Sequence, residues 1–143
     1  MTVAHILAEK GSSVVTVPPD CTLDDAIHRL AQKSIGALVV ADEAEAIVGI
    51  ISERDILRAL AGQGAAALDA PISCYMTSDV VTCQLETTND QITELMTEGR
   101  FRHLPVCENG KLVGLVSIGD VVKYRLATME AEQQAMSDYV SQA

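Results

Sequence analysis

The chain has 143 residues, 48% of them hydrophobic, with 20 acidic against 10 basic residues for a net charge of −10. That length suits one compact domain burying about 70% of its unfolded surface, and no apolar run approaches the ~20 residues that cross a bilayer. The charge opposes phosphate backbones and anionic lipid, and four aromatics, Tyr75, Phe101, Tyr124 and Tyr139, are too few for a base-stacking platform. Nucleic acid and membrane are therefore not expected partners. The start, Met1-Thr2-Val3-Ala4-His5, lacks a basic region followed by an apolar stretch, so a cytoplasmic location is expected.

In chain order, Val3, Ile6 and Leu7 fall on one face of a short amphipathic helix. A β-branched strand follows at Val14 to Thr16, then a helix with Thr22 as N-cap and Asp24 and Asp25 in its first turn. Gly36 to Ala41 and Ala46 to Ile51 read as a hairpin across Asp42-Glu43-Ala44-Glu45. Its second strand runs through Gly49-Ile50-Ile51-Ser52-Glu53-Arg54-Asp55 into a helix that fades near Gly62-Gln63-Gly64. The same order then begins again. Ile72, Tyr75 and Met76 repeat the amphipathic spacing, a strand is expected at Val80 to Thr82, and Thr88 caps a helix with Asp90 in its first turn. A second hairpin pairs Phe101 to Cys107 with Lys111 to Val116 across Glu108-Asn109-Gly110. It enters Gly114-Leu115-Val116-Ser117-Ile118-Gly119-Asp120 and a closing helix whose stripe, Ile118, Val121, Val122, Leu126, Met129 and Met136, needs a partner for its apolar face.

This recurrence is an internal repeat. Val14-Val15-Thr16 returns 66 residues on as Val80-Val81-Thr82, and Ala26, Leu30, Ile35, Leu38 and Val40 answer to Ile92, Met96, Phe101, Leu104 and Val106. Two copies are too few for an open solenoid. They are expected to pack about a pseudo-two-fold axis and to share one core, since a chain of half this length is marginal alone. The expected division is residues 1–64 as the first repeat, 65–70 as a linker, and 71–143 as the second repeat with an extended C-terminal helix.

The strongest chemical signal is Gly-x-x-Ser-x-x-Asp, where a strand ends and a helix starts. Ser52 with Asp55, and Ser117 with Asp120, have the spacing of a helix N-terminal capping box. Against capping alone, both copies carry Asp where the box favours Glu or Gln, and a cap does not need the glycine three residues earlier. A positive helix end, a hydroxyl and a carboxylate one turn in also suit a phosphorylated sugar, with phosphate on the N–H groups and Ser and the ribose hydroxyls on Asp. Six of the ten cations lie near these segments: Arg54, Arg58, Lys123 and Arg125 in or after the motifs, Arg100 and Arg102 just before a strand. They read either as a local anion site or as solvated helix faces. The cysteines at 21, 74, 83 and 107 form no C-x-x-C pair and no His stands at ligand spacing, so no metal site is expected. Cys83 and Cys107 match Val17 and Ala41, which assigns them to the core.

With both motifs and the strand entries Ile35-Gly36-Ala37-Leu38-Val39-Val40 and Phe101-Arg102-His103-Leu104-Pro105-Val106 in register, the chain resembles the CBS-domain family, whose paired domains form Bateman modules. The resemblance implies an α/β fold of two α-β-α-β-β-α repeats packed sheet to sheet, with clefts that take AMP, ADP, ATP, NAD or S-adenosylmethionine, the last less expected here. It further implies that Asp55 and Asp120 hold ribose hydroxyls, that Ser52 and Ser117 face phosphate, and that Arg54, Arg102 and His103 supply cationic neighbours; Arg100, from the cluster of cations, is counted with the same site. Adenine is placed against Ile35, Gly36, Ala37, Thr16 and Thr82. The copies differ beside the carboxylates, Arg54 standing by Asp55 and Gly119 by Asp120, so one cleft is built for more phosphate than the other.

No nucleophile stands near a plausible base, and His5 and His28 read as surface residues of amphipathic helices, so an enzyme is not expected. The leading reading is a regulatory module that binds an adenine nucleotide and signals to a separate regulated protein or through self-association as a homodimer. The competing reading is a ligand-free module for assembly or protein interaction.

Overall fold

The computed structural model describes residues 2–142 and divides into two compact units that depart from chain order. One is the body of the first repeat, Ser13–Thr82, with Gly110–Leu112; the other joins the leading segment up to Ser12 to Cys83–Asn109 and to the chain from Val113 onward. The leading helix α1 (Val3–Lys10) thus belongs with the second repeat, and the segment at Ile72 with the first.

Thr2 starts α1, its N–H donating to His5 Nδ1 at 3.2 Å, and Val3, Ile6 and Leu7 are buried as their shared helical face requires. Each stabilises the unit by about 1.5–3 kcal/mol relative to exposure. The short 3₁₀ helix Ile72–Cys74 does the corresponding work in the first-repeat unit, where Ile72 is fully buried and its N–H donates to the Cys21 carbonyl at 2.8 Å.

The first-repeat unit holds a three-stranded sheet in the order β1 (Thr16–Val17), β2 (Ala37–Ala41), β3 (Ile47–Ser52), with β1 parallel and β3 antiparallel to β2. The strand expected at Val14 to Thr16 sits slightly later and stops before Pro18, which has no N–H for the ladder. Helices α2 (Leu23–Lys33) and α3 (Glu53–Gln63) flank it in sequence. Thr22 caps α2 by accepting from the Asp25 N–H at 3.1 Å. At the other end Ser34 adopts the left-handed conformation (φ 53°), and the Ile35 N–H returns to the Leu30 carbonyl at 3.2 Å, turning the chain into β2. The stretch read as a linker is ordered: Gly64–Asp69 forms a 3₁₀ helix with Ala67 fully buried.

The second repeat supplies α4 (Asn89–Gly99), β4 (His103–Glu108), β5 (Lys111–Ser117) and α5 (Ile118–Gln142). Thr88 and Gln91 form a complete capping box, with Gln91 N–H to Thr88 Oγ1 at 3.1 Å and Thr88 N–H to Gln91 Oε1 at 2.9 Å. The β4–β5 turn uses Asn109 and Gly110 at φ 52° and 78°, as a two-residue hairpin requires. The strand expected at Val80 to Thr82 does not form; a single parallel bridge joins Cys83 to Val106. The cause is Pro105. In the first repeat the Val39 N–H donates to the Val15 carbonyl, and the residue matching Val39 is Pro105, which has no N–H to give.

The buried apolar side chains of each unit gather in a cluster. One gathers Leu23, Leu30, Leu38, Ile51 and Ile72, the other Val3, Ile92, Met96, Leu104 and Val116. The borrowed segments explain how each reaches sufficiency, since Ile72 enters the first and Val3, Ile6 and Leu7 the second. Cys83 lies buried in the second cluster, and burial, with Cys107 adding to it, pushes its thiol up to about 12, so it behaves as a small apolar residue.

Gly49 and Gly114 admit the leading segments. A Cβ on Gly49 would lie 2.9 Å from Met76 Cγ and 3.0 Å from the Thr77 carbonyl oxygen, and one on Gly114 would lie 2.6 Å from Leu7 Cδ1. Gly49→Ala and Gly114→Ala should each cost about 1–3 kcal/mol in denaturant unfolding. Trimming Leu7 to Ala should relieve the Gly114→Ala clash, whereas trimming Met76 leaves the Thr77 backbone in the way of Gly49→Ala. Unchanged stability in both single variants would refute this role.

One core position diverges between the copies. Leu23, fully buried, is matched by Asn89, whose Oδ1 is buried without a hydrogen-bond partner among the described residues. Asn89→Leu should stabilise the protein by about 1–2 kcal/mol, because an orphaned polar group is replaced by the side chain the other repeat uses. A loss of stability would show instead that Asn89 is bonded in solution.

Candidate functional site

The two Gly-x-x-Ser-x-x-Asp segments fold alike. In the first-repeat unit β3 ends at Ser52, the N-cap of α3; its N–H donates to Asp55 Oδ2 at 2.9 Å, and the Asp55 N–H donates back to Ser52 Oγ at 3.4 Å. In the second-repeat unit the Ser117 N–H donates to Asp120 Oδ2 at 2.9 Å and the Asp120 N–H to Ser117 Oγ at 3.2 Å. Asp closes both boxes despite its shorter reach, so the departure from Glu or Gln does not tell against capping. The glycine three residues earlier does not either, because its bare Cα makes room for Met76 or Leu7.

Each strand entry is tied to its motif by one backbone bond. The Glu53 N–H donates to the Gly36 carbonyl at 3.1 Å, and the Ile118 N–H to the Arg102 carbonyl at 2.8 Å. Gly36 and Ala37 thereby lie beside Ser52, which pairs with Ala37 across the sheet, and Arg102 and His103 lead into β4 beside the start of α5. These bonds also narrow the expected anion site. With N–H groups 53 and 55, and 118 and 120, engaged, Arg54 and Gly119 carry the first-turn donors outside these bonds.

Thr16, Ile35, Gly36, Ala37, Ser52, Arg54, Asp55 and Thr82 fall in the first-repeat unit; Arg100, Arg102, His103, Ser117, Gly119 and Asp120 fall in the other. Thr16 is an exposed residue of β1, level with Val39, and Thr82 is exposed just before the Cys83 bridge. Arg54, Arg100 and Arg102 are exposed, Arg100 in a left-handed conformation (φ 56°) that ends α4 where Ser34 ends α2. A concavity of about 460 Å³ joins Ile35 and Gly36 to Ile27, Leu30, Ile56 and Glu53 between α2 and α3, but Ser52 and Asp55 do not line it.

One participant was not visible in the sequence. Lys10, at the end of α1, donates through Nζ to Asp120 Oδ2 and, at 2.7 Å, to the Leu115 carbonyl. Burial opposes ionisation of Asp120, yet the Lys10 ammonium and the Ser117 N–H outweigh it and hold the carboxyl below its ordinary range. Only the register of α1 on the second repeat would have revealed this, and a separation of 110 residues gives no local cue. His5, read as a surface residue, caps Thr2 and stacks on Tyr124 with ring centroids 6.4 Å apart.

Comparison with known proteins agrees with this architecture. The CBS domain family model matches residues 4–62 and again 72–127. A CBS-domain containing protein from Agrobacterium tumefaciens, ATU1752, is 52% identical with a TM-score of 0.85, over 87% of this chain and 92% of that one. The CBS domain pair of MJ0100, solved with 5′-methylthioadenosine and S-adenosyl-L-methionine, is 26% identical with a TM-score of 0.80, over 90% and 98%. CBSX2, solved with AMP, is 28% identical with a TM-score of 0.71, also over 90% and 98%. The two copies of one strand-entry and capping arrangement, matched twice along the chain, are those of a tandem member of the CBS-domain family, to which this protein belongs.

Proposed function

We propose that this protein is a non-catalytic regulatory module that binds an adenine nucleotide through its Gly-x-x-Ser-x-x-Asp motifs and passes the signal on by a change of conformation or association. The observation that carries the reading is the duplicated arrangement itself: a strand-entry carbonyl, a Ser and an Asp at one helix start, in a family with relatives solved holding AMP, or 5′-methylthioadenosine and S-adenosyl-L-methionine. All three are adenosine derivatives, and the ribose is the part that an ionised Asp recognises. Among them AMP suits this chain best, because Arg54 stands beside Asp55 and Arg102 beside the second motif, and cations of this kind favour a phosphate over a sulfonium. ADP, ATP and NAD(H) share that chemistry. Adenine would rest on the backbone of Ile35 to Ala37 with Thr16 and Thr82 nearby.

AMP at ~100 times its dissociation constant should add ~2.7 kcal/mol of stability, a rise of roughly 5–10 °C in melting temperature at this size. Asp55→Asn should reduce that rise without unfolding the protein, because the Asn carbonyl can still accept from Ser52 N–H while the ribose loses its ionised acceptor. No shift in protein first shown to be ligand-free would favour the assembly reading instead.

A second proposal concerns assembly. Leu57 on α3 and Val122 on α5 occupy matching positions after their motifs and are 69% and 51% exposed; Leu126 and Met129 extend the second patch along α5. Exposed apolar side chains at the same place in both copies suit a two-fold interface with a second chain. Light scattering should give twice the 15.2 kDa chain mass, and Leu57→Asp with Val122→Asp should give monomer. A clean wild-type monomer, with or without AMP, would eliminate the dimer.

A further inference from the structure

The two motifs differ in what a ribose would have to displace. Asp120 Oδ2 accepts both the Ser117 N–H at 2.9 Å and the Lys10 ammonium, which is also held by the Leu115 carbonyl at 2.7 Å. That oxygen's two acceptor directions are therefore filled, one of them by an ion pair. Asp55 Oδ2 accepts the Ser52 N–H at 2.9 Å and the Ser52 hydroxyl at 3.1 Å. The hydroxyl can rotate to another acceptor without separating charges. Lys10 brings its ion pair to Asp120, while the partners of Asp55 Oδ2 are the N–H and hydroxyl of Ser52.

The difference is written into the leading segments. Leu7 lies against Gly114 as Met76 lies against Gly49, which sets the two segments in register. Three residues beyond Leu7 is Lys10; three beyond Met76 is Asp79, an exposed acid. The chain is still helical at Lys10, whereas beyond Met76 it pairs Thr77 with Ile50, so the path that carries Lys10 to Asp120 is not repeated after Met76. A ribose cis-diol uses both oxygens of a carboxylate, so at the second motif it competes with Lys10 and at the first with a rotatable hydroxyl alone.

We infer that Lys10 is a specificity-determining residue that closes the second motif to a ribose diol, so that each chain takes one adenine nucleotide, at Asp55, rather than two. This inference rests on the nucleotide-binding reading above. Calorimetric titration with AMP tests it. The wild type should bind one AMP per chain, and Asp55→Asn should abolish that site while Asp120→Asn leaves it. Lys10→Met keeps the aliphatic stem but removes the ammonium; it should open a second site or tighten it roughly tenfold, the factor of about one charge-assisted hydrogen bond. In Lys10→Met/Asp55→Asn the remaining site should depend on Asp120, and Lys10→Arg should stay at one site. Lys10→Gln replaces Lys10→Met if the latter melts below the titration temperature. Two equal sites in the wild type, an unchanged single site without the ammonium, or weaker binding without it would each overturn the role of Lys10 and leave the nucleotide reading standing. No AMP uptake by the wild type or by either Lys10 variant would overturn the nucleotide reading and this inference together.

Discussion

The packing of a short apolar segment against a glycine in the last strand of each repeat is the contact on which the rest depends. Leu7 at Gly114 and Met76 at Gly49 bring a leading segment against each sheet at van der Waals range, and Val3, Ile6 or Ile72 then bury beside it. Neither repeat body is long enough to be secure alone. Borrowing these segments gives each unit a core of its own, and it carries polar groups along: Lys10 reaches Asp120 because α1 is already anchored by its apolar face.

The motif that draws attention as a ligand site first serves the fold. Ser52 with Asp55, and Ser117 with Asp120, satisfy helix N–H groups that would otherwise be unpaired. Capping does not compete with binding at every atom. The cap holds each carboxylate in a fixed place at a positive helix end, which is the pre-organisation a ribose site needs. A motif of this kind consequently says less alone than its duplication, in register with the strand entries, says about a shared site.

Most of the fold was legible because its signals are local. Thr22 and Thr88 as caps, the Asn109-Gly110 turn, and the hairpins flanking each motif are all set by residues within a few positions of one another. The strand expected at Val80 to Thr82 does not form because its partner, Pro105, which lies more than twenty residues away, acts by lacking a donor. The role of the motif glycines does not show in the sequence, because the side chains they admit come from 27 residues downstream, Met76, or from the other end of the chain, Leu7. Within the candidate site, the local Ser and Asp pairs were readable and the long-range Lys10 was not.

Duplication also separates what the fold demands from what it leaves free. Positions that match in kind, such as Thr22 with Thr88, Gly49 with Gly114, Ser52 with Ser117 and Asp55 with Asp120, each cap a helix or admit a segment. Positions that differ stand beside the motifs: Arg54 against Gly119 and Gly36 against Arg102. None of those differences is needed to close a core, since all four residues lie at or near the surface. Charge placed there costs the fold little and changes strongly what a nearby anion or hydroxyl meets. Two copies of one scaffold are thus kept alike where they must fold and unlike where they face solvent.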